Sequence, residues 1–253
     1  MLPRSLRVVP LVVVMLAGCL VGDDGAFVDH EEASDFDEQP PLYGGQPEVP
    51  GIPAAFDRNL IVSDALFTAT AAVTADDLQR FFEASPYGTR SWLADEAVAG
   101  VRAADAIVAA AQAEGVNPVL LVARMQVEKS LVSATKRPTG NRVDFAFGCG
   151  CPDGRTCSET YRGLDKQVAC AASTLRRWYD ASADGTGAWR RGVSRKTLDP
   201  IKVVPGSHAT ATLYAYTPWV LTGRGGNWLV WNITRKYLRH LDGQGGLHLA
   251  PTT

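Results

Sequence analysis

The sequence predicts a mainly helical (mainly α, α+β) domain with one disulfide-bridged loop and one short β-hairpin, preceded by a disordered tether. Three observations carry the prediction. Apolar residues recur at helical spacing from Ala97 to Ala111, and Asn117-Pro118 then supplies a cap and a first-turn proline for a second helix. The stretch 136–164 is dense in Gly, Cys, Asp and Pro, as an irregular bridged loop would be. Residues 19–57 hold ten acids, five prolines and no Lys or Arg, so they bury too little apolar surface to offset the entropy of ordering.

Taken in order, Thr74-Ala75-Asp76-Asp77 followed by Leu78, Phe81 and Phe82 reads as a capped helix start with acids in its first turn. The series Ala97, Val98, Val101, Ala104, Ile107, Val108 and Ala111 predicts one helix ending at Gly115. The next helix starts at Pro118 and runs through Leu120, Leu121, Ala123, Val127 and Leu131, carrying Glu128 with it. Beyond the loop, Asp165 to Ala181 is helical, with Val168, Ala171, Ala172 and Leu175 on one side. A short strand pair is expected between Leu198 and Val204. Ser207 caps a helix through Tyr216, Pro218 stops it, and Asn227 caps a last helix ending near Leu241. The folded domain is placed at 58–245, with 246–253 as a tail.

The 253 residues are 46% hydrophobic and 21% charged, which allows one ordinary domain and excludes a wholly disordered or collagen-like chain. Net charge is −2, but it divides into +2 over residues 1–18, −10 over 19–57 and +6 over the remainder. Arg4 and Arg7 precede an apolar run from Val8 to Gly18, too short for a bilayer span of about 20 residues. The run closes with Leu16-Ala17-Gly18-Cys19, which resembles a bacterial lipobox. That resemblance implies a signal peptide over 1–18, a lipidated Cys19 (diacylglyceryl and palmitate-type chains) and a lipoprotein anchored to a bacterial membrane. Leu20 rather than Asp follows Cys19, which points to the outer membrane facing the periplasm, or to the cell surface. The segment 19–57 then acts as a spacer reaching ~35 Å as a coil and ~100 Å if extended.

Four cysteines remain: Cys149, Cys151, Cys157 and Cys170. Their spacing is not that of a common zinc finger, and an exported chain favours disulfides. Of three connectivities, Cys151 with Cys157 and Cys149 with Cys170 are preferred, the second pinning the loop to the following helix. The four His are scattered, and no Gly-x-Ser-x-Gly, Walker-type or dinucleotide motif occurs. No metal, cofactor or nucleic-acid partner is expected. The strongest chemical candidate is Glu128, close to a helix C-terminus among apolar neighbours, where lost solvation and the helix dipole both favour a protonated acid. From spacing alone, Glu128 could equally be a surface residue paired with Lys129 or Arg124.

The run Glu114-Gly115-Val116-Asn117-Pro118, Leu120-Leu121, Met125-Gln126-Val127-Glu128-Lys129-Ser130-Leu131 resembles bacterial peptidoglycan hydrolases of the lysozyme-like superfamily. Further matches follow in the same order: Phe147-Gly148-Cys149-Gly150-Cys151-Pro152-Asp153, Tyr161-Arg162-Gly163 with Gln167, the stretch Ala209 to Trp219, and Asn227-Trp228. The resemblance spans about 74–240 and includes lytic transglycosylases and endo-β-N-acetylglucosaminidase-like autolysins. It implies a lysozyme-like fold, peptidoglycan glycan strands as partner, and cleavage of β-1,4 bonds between amino sugars. Glu128 would be the proton donor and Ser130 its motif neighbour; Gly148 would open a cleft-floor loop. Asp153, Gln167, Tyr214 and Tyr216 would contact sugar or orient the acid. Left open by the residues themselves are Tyr214 and Tyr216 as core aromatics, Asp153 as a turn cap and Gln167 as a solvated helix residue. Ala215-Tyr216 is followed by Thr217 where the transglycosylase signature has Asn, so the product stays open between hydrolysis and an anhydro sugar. A non-catalytic wall-binding lipoprotein of the same fold is the alternative, and a zinc-stabilised interaction domain a third reading.

Overall fold

The structure, a computed structural model, describes residues 49–249 other than residue 153. Expectations placed on residues 1–48, Cys19 among them, on Asp153 and on 250–253 lie outside the described residues. Among the described residues are eight α-helices, two single 3-10 turns and two antiparallel hairpins of two-residue strands, so the fold is mainly helical. None of these helices is by itself long and apolar enough to cross a membrane.

A four-residue helix, α1 (Asp64–Phe67), comes first, then α2 (Ala75–Glu83). Thr74 caps α2 as expected: its hydroxyl accepts from the Asp77 N–H at 3.1 Å, and the Asp77 carboxylate accepts from the Thr74 N–H at 3.0 Å. The apolar series from Ala97 does not make one helix. It begins as a hairpin, β1 (Ala97–Val98) against β2 (Val101–Arg102), with Val98 opposite Val101. Ala99 and Gly100 form the turn, with φ of +50° and +84°. Two successive positive φ values are what a two-residue hairpin of this twist requires. Helix α3 (Ala103–Ala113) follows, and then α4 (Pro118–Lys129).

Helix α4 organises the interior. The Asn117 side chain accepts from the Val119 N–H at 2.9 Å, and Pro118 sits in the first turn. From Pro118 to Gln126 every residue is buried, as in a helix enclosed on all sides. It packs chiefly on α8 (Gly226–Gly243) and also on α3. At Ser130 the backbone turns left-handed (φ 50°, ψ 40°), which ends the helix before Leu131.

A short helix, α5 (Asn141–Asp144), and a 3-10 turn (Glu159–Tyr161) interrupt the bridged loop; then α6 (Leu164–Ala183) packs along α7 (His208–Tyr216). Between α6 and α7 lies the second hairpin, β3 (Arg195–Lys196) with β4 (Lys202–Val203). The expected strand pair thus flanks Leu198–Ile201 as its turn rather than lying within 198–204. Ser207 caps α7, accepting from the Thr210 N–H at 2.9 Å. Asn227 does not cap α8, which starts one residue earlier at Gly226; its buried amide donates instead to the carbonyls of Thr217 (2.6 Å) and Trp219 (3.1 Å).

Among the described residues the packed body already includes Val49 and Ile52, ahead of residue 58. Trp231 donates its indole N–H to the Pro53 carbonyl at 3.0 Å. At the other end Leu247 and Leu249 pack on the core, and His248 N–H reaches the Ala72 carbonyl at 2.8 Å. The stretch read as a tail from 246 is therefore held down as far as residue 249.

Candidate active site

Glu128 lies in the last turn of α4, with its side chain only 4% exposed. It is paired, but not at the surface: Arg124, one turn earlier on the same helix, bonds the carboxylate and is itself 1% exposed. The guanidinium reaches further. It donates to Thr217 Oγ1 at 3.0 Å and lies over the Tyr216 ring, 4.1 Å from its centroid. The Tyr216 hydroxyl in turn donates to the Phe147 carbonyl at 2.8 Å, just ahead of Gly148 in the bridged loop. One continuous chain of contacts therefore joins the acid of α4, the end of α7 and the loop.

Gln167 fixes that loop from α6. Its side-chain oxygen accepts from Phe147 N–H and Cys149 N–H, both at 3.1 Å, and its amide donates to the carbonyls of Cys149 (2.9 Å) and Tyr161 (2.7 Å). Fully buried and bonded on both ends, Gln167 is a staple of the loop backbone rather than a solvated residue or a group directed at a ligand. The disulfides complete the frame in the preferred connectivity, Cys149 with Cys170 on α6 and Cys151 with Cys157 within the loop. Gly148, half-buried with φ +68°, makes the turn between Phe147 and Cys149; open space surrounds the position a Cβ would take. Among the described residues no group of three or more His, Cys, Asp or Glu could hold a metal ion.

Ser130 enters through its backbone, as the left-handed residue whose N–H bonds the Gln126 carbonyl at 2.8 Å. Gln126 then folds the next turn back, its side-chain oxygen accepting from Val132 (2.9 Å) and Ser133 (3.1 Å). Arg142 ties the same corner to α5 by donating to the Lys129 carbonyl at 2.7 Å. Tyr214 is the residue the structure removes from the expected site. Two positions before Tyr216 on a helix, it points the other way: it is fully buried, stacks on Trp189 at 4.9 Å and donates to the Arg58 carbonyl at 2.9 Å. Burial pushes its phenol well above the ordinary range. Asp153 lies outside the described residues.

The arrangement therefore gathers Glu128, Tyr216, Gly148 and Gln167, and adds Arg124, Thr217, Asn227 and Gln126, which were not singled out as site residues. The i to i+4 spacing of Arg124 and Glu128 was the available signal for the first of these. Trp219, two residues beyond Thr217, is half-buried, and its carbonyl receives the Asn227 amide. Chemically, the site offers one carboxyl in a water-poor setting, a guanidinium that can hold it in place, and a loop whose backbone is locked by side-chain bonds and disulfides. Comparison with known protein families, curated proteins and solved structures gives no match to this chain.

Proposed function

We propose that the chain is a lysozyme-like cell-wall glycan hydrolase, lipid-anchored through Cys19, that cleaves β-1,4 bonds between amino sugars of peptidoglycan with Glu128 as acid/base. One observation carries the reading: the motif acid sits in the last turn of an enclosed helix and is linked through Arg124 and Tyr216 to the bridged loop that the same resemblance calls a cleft floor. A proton donor needs such a water-poor, fixed position near the scissile oxygen. Glycosidases commonly use two carboxyls. Of the carboxylates in the loop region, Asp144 and Glu159 are both engaged by Arg162. A single-acid route fits this arrangement: the substrate's 2-acetamido oxygen supports the oxocarbenium, and water or the sugar's own 6-hydroxyl completes the displacement.

A second reading is favoured by the same ion pair. A carboxylate already bonded to a buried guanidinium also suits a non-catalytic wall-binding protein that keeps the fold. Incubation of purified sacculi with the full chain and its Glu128→Gln variant, with products identified by mass, separates the two. Muropeptide release that falls at least ~100-fold in the variant is the expected result. Equal release by both overturns the role of Glu128, and sacculus binding without release by either establishes the second reading.

A further inference from the structure

The β3–β4 hairpin presents a basic surface, its one acid being turned inward. Arg191, Arg195, Lys196 and Lys202 are exposed along it. Lys196 and Lys202 face each other directly as cross-strand partners. Like charges in that position destabilise a strand pair unless an anion lies nearby. Among the described residues neither lysine has a carboxylate within 4.0 Å, and Arg191 meets only Asp64, at 4.0 Å. The hairpin's one acid, Asp199, faces inward and accepts from the N–H groups of Val220 (3.1 Å) and Leu221 (3.0 Å). Between the cations stand Val193, Leu198 and Val204, exposed by 41%, 48% and 37%. A partner for this face must be anionic and carry some apolar side chains.

The chain contains such a segment. Residues 19–48 hold nine acids and no Lys or Arg, with the mixed run Asp35-Phe36-Asp37-Glu38 near the middle. That segment joins the body beside the hairpin. Val49 and Leu60 line one cavity of about 520 Å³. Leu60 lies against Gly206, while Asn59 accepts from the N–H groups of Val204 (2.8 Å) and Gly206 (2.6 Å) at the foot of β4. The dozen or so residues between Asp37 and Val49 can span up to ~40 Å. Being on the same chain raises the effective concentration into the millimolar range.

We propose that the acidic segment ahead of Val49 docks on the β3–β4 hairpin, its carboxylates on Arg195, Lys196 and Lys202 and its apolar residues on Leu198 and Val204. The interaction is independent of the chemistry assigned to Glu128. It makes the hairpin a self-occupied site for which any anionic polymer must compete. The test is zero-length carbodiimide cross-linking of the full chain at low salt, using an equal mixture of isotope-labelled and unlabelled protein. Lysine acylation rates are measured in parallel on the wild type and an Asp35→Asn/Asp37→Asn/Glu38→Gln variant. The expected result is amide links from Lys196 or Lys202 to carboxylates before Val49 with both ends of one isotope. Acylation of these two lysines should be several-fold faster in the variant, and the difference should vanish near ~0.5 M salt, where screening is strong. Links between different isotopes would assign the face to a second copy and overturn the proposal. Unchanged lysine reactivity in the variant would overturn it too, including the case in which added anionic vesicles or polymers protect those lysines.

Discussion

Arg124 is the residue on which the candidate site turns, because it is buried and serves three partners on two elements: Glu128, Thr217 and the Tyr216 ring. Taking away one member of a buried ion pair leaves the other charge uncompensated, at a cost of about 3–5 kcal/mol. R124M should show that loss in urea unfolding, and R124M/E128Q should recover most of it, since the stranded carboxylate is then gone. Additive losses in this cycle would mean that the pair is not coupled. Gln167 gives a separate effect: Gln167→Ala orphans the N–H groups of Phe147 and Cys149 and should cost about 1–3 kcal/mol each, read by the same method. At this scale the sequence was only partly legible. Glu128 stood out by its motif, and helical spacing offered Arg124 as a partner beside Lys129, but burial of the pair comes from packing against elements far away in the chain, α8 chief among them. Tyr214 and Tyr216 are alike in composition; only the direction each takes on α7 separates the one stacked on Trp189 from the one that meets Arg124 and the bridged loop.

At the scale of elements, the start of α4 was legible because its signals are local: Asn117 caps, Pro118 begins, and the apolar residues enclose it. The hairpin at Ala97–Arg102 was not, because Ala97, Val98 and Val101 satisfy a helical period while Ala99-Gly100 adopts a turn that pattern alone does not declare. Asn227 misled for a similar reason, since an amide that could cap a helix is drawn instead to the Thr217 and Trp219 carbonyls. The bridged loop gives a graded prediction. Chain-entropy arguments assign about 3 kcal/mol to the Cys149–Cys170 bond, which closes the longer loop, and about 2 kcal/mol to Cys151–Cys157. Cys149→Ser/Cys170→Ser should therefore lower stability more than Cys151→Ser/Cys157→Ser. It should also slow any glycan cleavage more strongly, because Cys149 lies two residues after Phe147, whose carbonyl receives the Tyr216 hydroxyl.

For the whole molecule, both ends of the described chain are structural parts. Deleting residues 49–57 removes buried Val49 and Ile52 and the carbonyl bonded by Trp231, and should cost at least ~3 kcal/mol relative to a chain cut just before Val49. The C-terminal end adds a pH term through Asp77. Burial acts to raise its carboxyl, but the bonds from Thr74 and His248 and the charge of Arg80 outweigh it and hold the group below its ordinary value. A depressed folded value stabilises above the unfolded value of about 4 and is lost as pH falls through the folded one. In urea melts taken from pH 5 to 2.5, the advantage of wild type over Asp77→Asn should accordingly shrink on acidification. The bond between Trp231 and Pro53 also has a mechanical side. Tension arriving from residues ahead of Val49 meets first the Ser63 N–H to Gly51 carbonyl bond (2.8 Å) and then the indole on Pro53 (3.0 Å), which tie the entering segment to the start of α1 and to α8. A load applied ahead of Val49 is thereby passed to the start of α1 and to α8 side-on, not drawn along the backbone of α4.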